Sequence, residues 1–205
     1  MKHQKMKQKA RHIEILYTLS KLDFASRRQL QAIHCLGSIR NANRILKDLR
    51  PYCHVTSHNR ENVYYLNKKG MALLGIQAKE RKKKHQLEHI LLRNEAWMWL
   101  DFPDWKTEQV ITLRYQGEEK TIVPDAFFLK DNVPHLVEID RLQHMKVNEK
   151  KIQYYAYLTH IYQKQQQITP IIIFCTISDC REKQLLHYAL KYHVYVRTYL
   201  LQDVI

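Results

Sequence analysis

The sequence predicts an α+β fold in two modules: a strongly basic helical one, then a mixed sheet flanked by helices. Three observations carry that expectation. Residues 1–90 hold 20 Lys/Arg against 6 Asp/Glu, and residues 91–205 hold 14 against 14, so the whole net charge of +14 sits on the first half. A polycation joined to a charge-balanced segment argues for two modules, the first facing a polyanion such as nucleic acid. Apolar residues recur at helical spacing in the first 50 positions, whereas short strand-like runs dominate the second half. Finally, "VPDAFFLKDNVPHLVEIDR" (123–141) sets four acidic side chains among aliphatic ones, where two short buried strands are expected and charge is costly.

The first helix is "RHIEILYTLSKL" (11–22), preceded by a basic arm, "MKHQKMKQKAR", that lacks the apolar stretch of a secretory signal. "SRRQLQAIH" opens the second: Ser26 with Gln29 three positions on is a capping-box pattern. The third starts at Gly37-Ser38, and its "IRNANRILKDLR" puts Ala42, Ile45, Leu46 and Leu49 on one face, with Pro51 discouraging continuation. "YCHVTSHNRENVYYLN" then reads as a hairpin whose strands, 52–56 and 63–66, flank the polar turn 58–62; "KKGMALLG" closes with a short helix. Three helices followed by a hairpin is the order of a winged helix-turn-helix, in which the third helix enters the major groove and the hairpin lies against the backbone.

Side-chain chemistry assigns roles on that frame. Arg40 and Arg44 suit bidentate contacts to guanine and Asn41 suits adenine. Lys47, Arg27, Arg28 and Arg60 suit phosphates, which position a protein without reading sequence. Other constellations are weaker. His85/His89 has no third ligand nearby in sequence and is expected at the surface, and Cys53/His54/His58 is a similarly weak zinc signal. The four cysteines form no CxxC pair, as reduced thiols in a cytoplasmic protein would not. No stretch reaches the roughly 20 apolar residues of a membrane span. The four glycines build no phosphate-cradling loop, so nucleotide-dependent chemistry is not expected.

In the second half, "HQLEHILLRNEAWMWLDF" (85–102) is an apolar helix offering Leu87, Ile90, Leu91, Ala96 and Trp97 to a core. Strands are expected at 107–114, 121–129 and 134–140, a helix from Met145 to Tyr162, then strand "PIIIFCT", helix "REKQLLHYALKY" and strand "HVYVRTYL". Asp125 and Glu138, on successive strands, could converge to hold a divalent cation through oxygen ligands, and such a metal can activate water and stabilise phosphoryl charge. The pattern Pro124-Asp125…Glu138-Ile139-Asp140 resembles the PD-(D/E)xK nuclease superfamily. Asp140 stands where that pattern has its lysine. The resemblance implies that a lysine migrated to the next helix supplies the charge: Lys151, beside Ile152 and Tyr155, rather than Lys150. Asp125, Glu138, Asp140 and Lys151 are thus the candidate catalytic set, Asp125 and Glu138 the candidate ligands for Mg²⁺ or Mn²⁺, and Glu95 a possible extra carboxylate. Structural alternatives stand beside this one: acidic residues at strand ends also cap helices or pair with arginine.

Taken whole, "YYLNKKGMALLG", "VPDAFF", "HLVEIDR" and "KKIQYYAYL", in that order, resemble the replication-relaxation family of bacterial plasmids and other mobile elements. The domains expected are a winged helix-turn-helix at 1–78 and a nuclease-like domain at 85–205, joined by the basic run 79–84, which reads as a linker or as a second phosphate-tracking patch. The resemblance implies a cytoplasmic, sequence-specific protein whose partner is double-stranded DNA, acting in replication, relaxation or transfer, with replication or relaxosome proteins and a second copy of the chain as further partners. Binding rather than cleavage is the expected role. A Mg²⁺-dependent endonuclease and a protein-interaction adaptor on nucleoprotein are the alternatives. Relaxase or recombinase chemistry is not expected, because no His-x-His pair exists and none of the 13 tyrosines has an Arg/His constellation around it.

Overall fold

The structure, a computed structural model, describes residues 2–77, 86–115 and 117–201. The chain is α+β and divides into two compact units, residues 1–98 and 99–205. The basic run 79–84 and His85 lie outside the described residues.

The first unit begins with α1 (Lys2–Leu22), so the expected basic arm is instead the first half of a long helix. It is followed by β1 (Ala25–Ser26), α2 (Arg27–Ile33) and α3 (Ile39–Asp48). The capping box at Ser26 and Gln29 is present, and Ser38 caps α3 by accepting from the Asn41 N–H. Each cap satisfies a backbone donor that a helix start leaves unpaired. Strands β2 (Cys53–His58) and β3 (Glu61–Leu66) form the hairpin, in a sheet ordered β1-β3-β2. Its turn is tighter than the expected 58–62: only Asn59 and Arg60 lie between the strands, both at positive φ (46° and 61°). That is the two-residue geometry whose twist matches the strands. Helix α4 (Lys68–Leu73) closes the segment, capped by Asn67. Ala42, Ile45, Leu46 and Leu49 all enter one apolar core with Ile15, Leu16, Leu19 and Leu30.

Helix α5 (Leu87–Trp99) corrects the expected boundary, because almost all of it belongs to the first unit. Leu87 and Ile90 pack on Phe24 and Val63. Its polar residues hold it there too. Asn94 Nδ2 donates to the Phe24 carbonyl at 2.5 Å, and Arg93 pairs with Asp23 at 3.3 Å. Glu95 accepts from Arg28 at 2.5 Å and Gln29 at 2.7 Å, so it serves α2 and is not an added carboxylate for the acidic strands.

The second unit carries β4 (Lys106–Thr107), β5 (Ile111–Tyr115), β6 (Glu118–Ile122), β7 (Ala126–Lys130), β8 (Val133–Asp140), α6 (Met145–Gln166), β9 (Ile171–Thr176), α7 (Asp179–Lys191) and β10 (Val196–Leu200). The expected strand 121–129 is broken at 123–125: β5 and β6 pair only with each other, and β7 joins a five-stranded mixed sheet ordered β10-β9-β8-β7-β4. Strands β8, β9 and β10 run parallel, β7 and β4 antiparallel to their neighbours. β8 is buried from Pro134 to Asp140, as a central strand covered on both faces must be. Ile152, Tyr155 and Leu158 of α6 and Leu185 of α7 pack with Leu136, Ile172 and Phe174 of the sheet.

Candidate functional site

Two places gather the chemistry-bearing residues, and each lies within one unit. On the first, the buried stripe of α3 fixes which side chains face outward. Arg40, Asn43, Arg44 and Lys47 are exposed, and the turn places Arg60 at the hairpin tip, also exposed. Asn41 already has protein partners: its Nδ2 donates to the Leu36 carbonyl at 2.7 Å and its Oδ1 accepts from Arg44 at 2.9 Å. It fastens the start of α3 and steadies Arg44. Arg27 pairs with Glu61 at 2.8 Å and Arg28 with Glu95, so these two cations, expected on phosphates, also tie α2 to the hairpin and to α5. Both still line an open cleft with Gln31, Cys35, Gly37 and Ile39.

On the second unit, strand alternation puts Glu138 and Asp140 on one face of β8, towards α6 and α7, and both are wholly buried. Their surroundings differ. Asp140 is surrounded by donors: Arg181 reaches it in a fork at 2.7 and 2.5 Å, Asn148 donates at 2.7 Å and Thr176 at 3.1 Å. Arg181 of α7 is thus its charged partner across the fold. Asp125, in the break before β7, accepts from the Ile139 N–H at 2.7 Å, filling a ladder position that the backbone of β7 does not reach.

Glu138 sits between. Lys151 Nζ donates to its Oε2 and the Tyr155 hydroxyl to its Oε1, both at 2.5 Å. Of the two neighbouring lysines it is Lys151 that lies against the glutamate, while Lys150 is exposed. Burial, with the Asp125 carboxylate adding to it, pushes the Glu138 carboxyl up to about 7, although Lys151 and Tyr155 act the other way. Burial works against the Lys151 ammonium, yet its carboxylate neighbours, Glu138 foremost, hold it above its ordinary value. One shift says the ion pair is costly and the other that it is favoured. Geometry decides, because Lys151 keeps 27% of its side chain in solvent and Glu138 none. Desolvation falls on the carboxylate.

The three candidate acids are already engaged by protein donors. Glu138 and Asp140 accept protein donors at both oxygens, and Asp125 accepts from the Ile139 N–H. Among the described residues no three His, Cys, Asp or Glu side chains stand together as metal ligands. Cys53 is buried with its thiol pushed up to about 12, as is Cys175. A carboxyl near 7 lies in the range that suits proton transfer, and in this structure Glu138 is sealed from solvent. Tyr155, Asn148 and Arg181 were not singled out from the sequence. Their only signal is polar groups on the inward stripe or first turn of otherwise amphipathic helices.

Among the described residues no helix is long and apolar enough to cross a membrane. No curated protein matches the chain. The crystal structure of protein VC1899 from Vibrio cholerae resembles it at 11% identity with a TM-score of 0.39, over 92% of this chain and 52% of that one, so this chain spans about half that protein's length. The family model described as replication-relaxation matches residues 16–172, from within α1 to the start of β9, and on that match the chain belongs to the replication-relaxation family.

Proposed function

We propose that the chain is a double-stranded DNA-binding protein serving replication, relaxation or transfer of a plasmid or other mobile element. In this reading the first unit is a winged helix-turn-helix, with α3 as the reading helix and β2–β3 as the wing. The second is a nuclease-like domain used for docking or dimerisation rather than cleavage. The observation that carries it is the outer face of α3: exposed Arg40, Arg44 and Lys47 stand on a helix whose other face is locked into the core. Arg40, in the first turn of α3, is the candidate for base edges, and Lys47 and Arg60 for phosphates.

Titration of the full chain against duplex DNA from its replicon, over a range of salt, tests this. Affinity should fall steeply with salt through counterion release. Arg40→Ala should cost about 1–3 kcal/mol on the preferred site and less on unrelated duplex, whereas Lys47→Ala should weaken both alike. A flat salt response would refute DNA binding, and unchanged discrimination in Arg40→Ala would refute the choice of reader. The endonuclease alternative draws support from Lys151 lying against Glu138. Mg²⁺-dependent nicking of the same duplex, lost in Asp125→Ala, would establish it.

A further inference from the structure

The unexpected first half of α1 sits where it can act with α3. Gln4, Lys7, Gln8, Arg11 and His12, spaced i, i+3, i+4, i+7 and i+8, form one stripe and line a cleft whose other wall is Arg44 and Ile45. Gln8 Nε2 fastens the two helices by donating to Asp48 Oδ2 at 3.2 Å. Three exposed cations, Lys7 and Arg11 of α1 and Arg44 of α3, thus rim one concavity between the two helices. His12 lines the same cleft, with its Nε2 buried and without a hydrogen-bond partner. Lys5 and Lys9 lie off the stripe. A general polycation needs no such sorting, but a site for one anion does.

We propose that Lys7, Arg11 and Arg44 form a clamp for a backbone phosphate of duplex DNA. The clamp rests on the DNA-binding function proposed above and changes one role within it: Arg44, positioned by Asn41 and facing α1, holds phosphate rather than guanine. α1 then sets how far α3 can enter the groove, because the phosphate is gripped from both helices at once.

Full-length chains carrying Lys7→Ala, Arg44→Ala or Lys9→Ala, each losing one charge from an exposed helical position, are titrated with the replicon duplex and with an unrelated duplex at several salt concentrations. Melting curves confirm that each folds. For Lys7→Ala and Arg44→Ala the slope of log affinity against log salt should shrink by about 0.9, with about an eightfold loss at roughly 0.1 M salt, equal on both duplexes. Lys9→Ala should change neither. Equal losses for Lys7→Ala and Lys9→Ala would overturn the clamp, leaving a diffuse polycation. A loss in Arg44→Ala confined to the replicon duplex would overturn it too, by making Arg44 a base reader. Absence of salt-dependent binding in the unaltered chain would defeat the clamp together with the DNA-binding function, and that result is visible before any variant is compared.

Discussion

Glu138→Gln should stabilise the protein, and only where the glutamate would be charged. The buried carboxyl titrates near 7 instead of its ordinary 4.5. Folded chain therefore holds this proton more tightly than unfolded chain does, so stability present below about 4.5 is lost as pH rises towards 7. Each tenfold change in proton affinity is worth about 1.4 kcal/mol, which puts the lost stability on the order of 3 kcal/mol at pH 8 and under about 1 kcal/mol at pH 5. Glutamine has the shape and neutrality of the protonated acid, can still accept from the Tyr155 hydroxyl, and leaves Lys151 free to turn to solvent. Urea unfolding of both chains at the two pH values measures the effect as a shift in midpoint at constant slope. The variant should be more stable by about 2–3 kcal/mol at pH 8 and close to unchanged at pH 5. A variant less stable than the parent at pH 8 would falsify the reasoning, since the ion pair with Lys151 would then outweigh desolvation.

Removing the arginine beside the other buried acid should act in the opposite direction. Arg181→Ala leaves Asp140 charged and buried with only neutral donors, and should cost about 3–5 kcal/mol by urea unfolding; a loss below about 1 kcal/mol would mean that Asn148 and Thr176 suffice. Gly70→Ala should be markedly destabilising, by about 1–3 kcal/mol, because a Cβ there would lie 2.2 Å from the Tyr52 carbonyl oxygen; an unchanged melting temperature would refute that close approach. Ser26→Ala removes the cap of α2 and should cost about 1 kcal/mol, with Ser26→Thr recovering most of it. Millimolar Mg²⁺ should leave the melting temperature of the unaltered chain unmoved. A rise that Glu138→Ala abolishes would instead show the carboxylates exchanging Lys151 and Tyr155 for metal.

Local chemistry was enough to read most elements from the sequence. Ser26/Gln29 and Ser38 mark helix starts because a side chain must satisfy nearby backbone donors, and the apolar stripe of α3 follows from helical period alone. The order of short motifs was enough to point to the family. The resemblance pointed to Lys151, and its reach is a near-local matter: it follows Glu138 by 13 positions, past the strand end and about two turns into α6. Partners distant in sequence could be settled only by tertiary structure. Glu95 and Asp140 are both acids in apolar contexts, but one is taken by Arg28 and Gln29, more than 60 positions earlier, and the other by Arg181, 41 positions later. α5 reads as the head of the second unit because its apolar residues would suit either core, and burial on Phe24 and Val63 decided between them. The acidic stretch is the sharpest case. A sequence shows how many carboxylates share a region, but what each does depends on which donor arrives from elsewhere, and a buried charge stays where the fold brings enough donors to replace water.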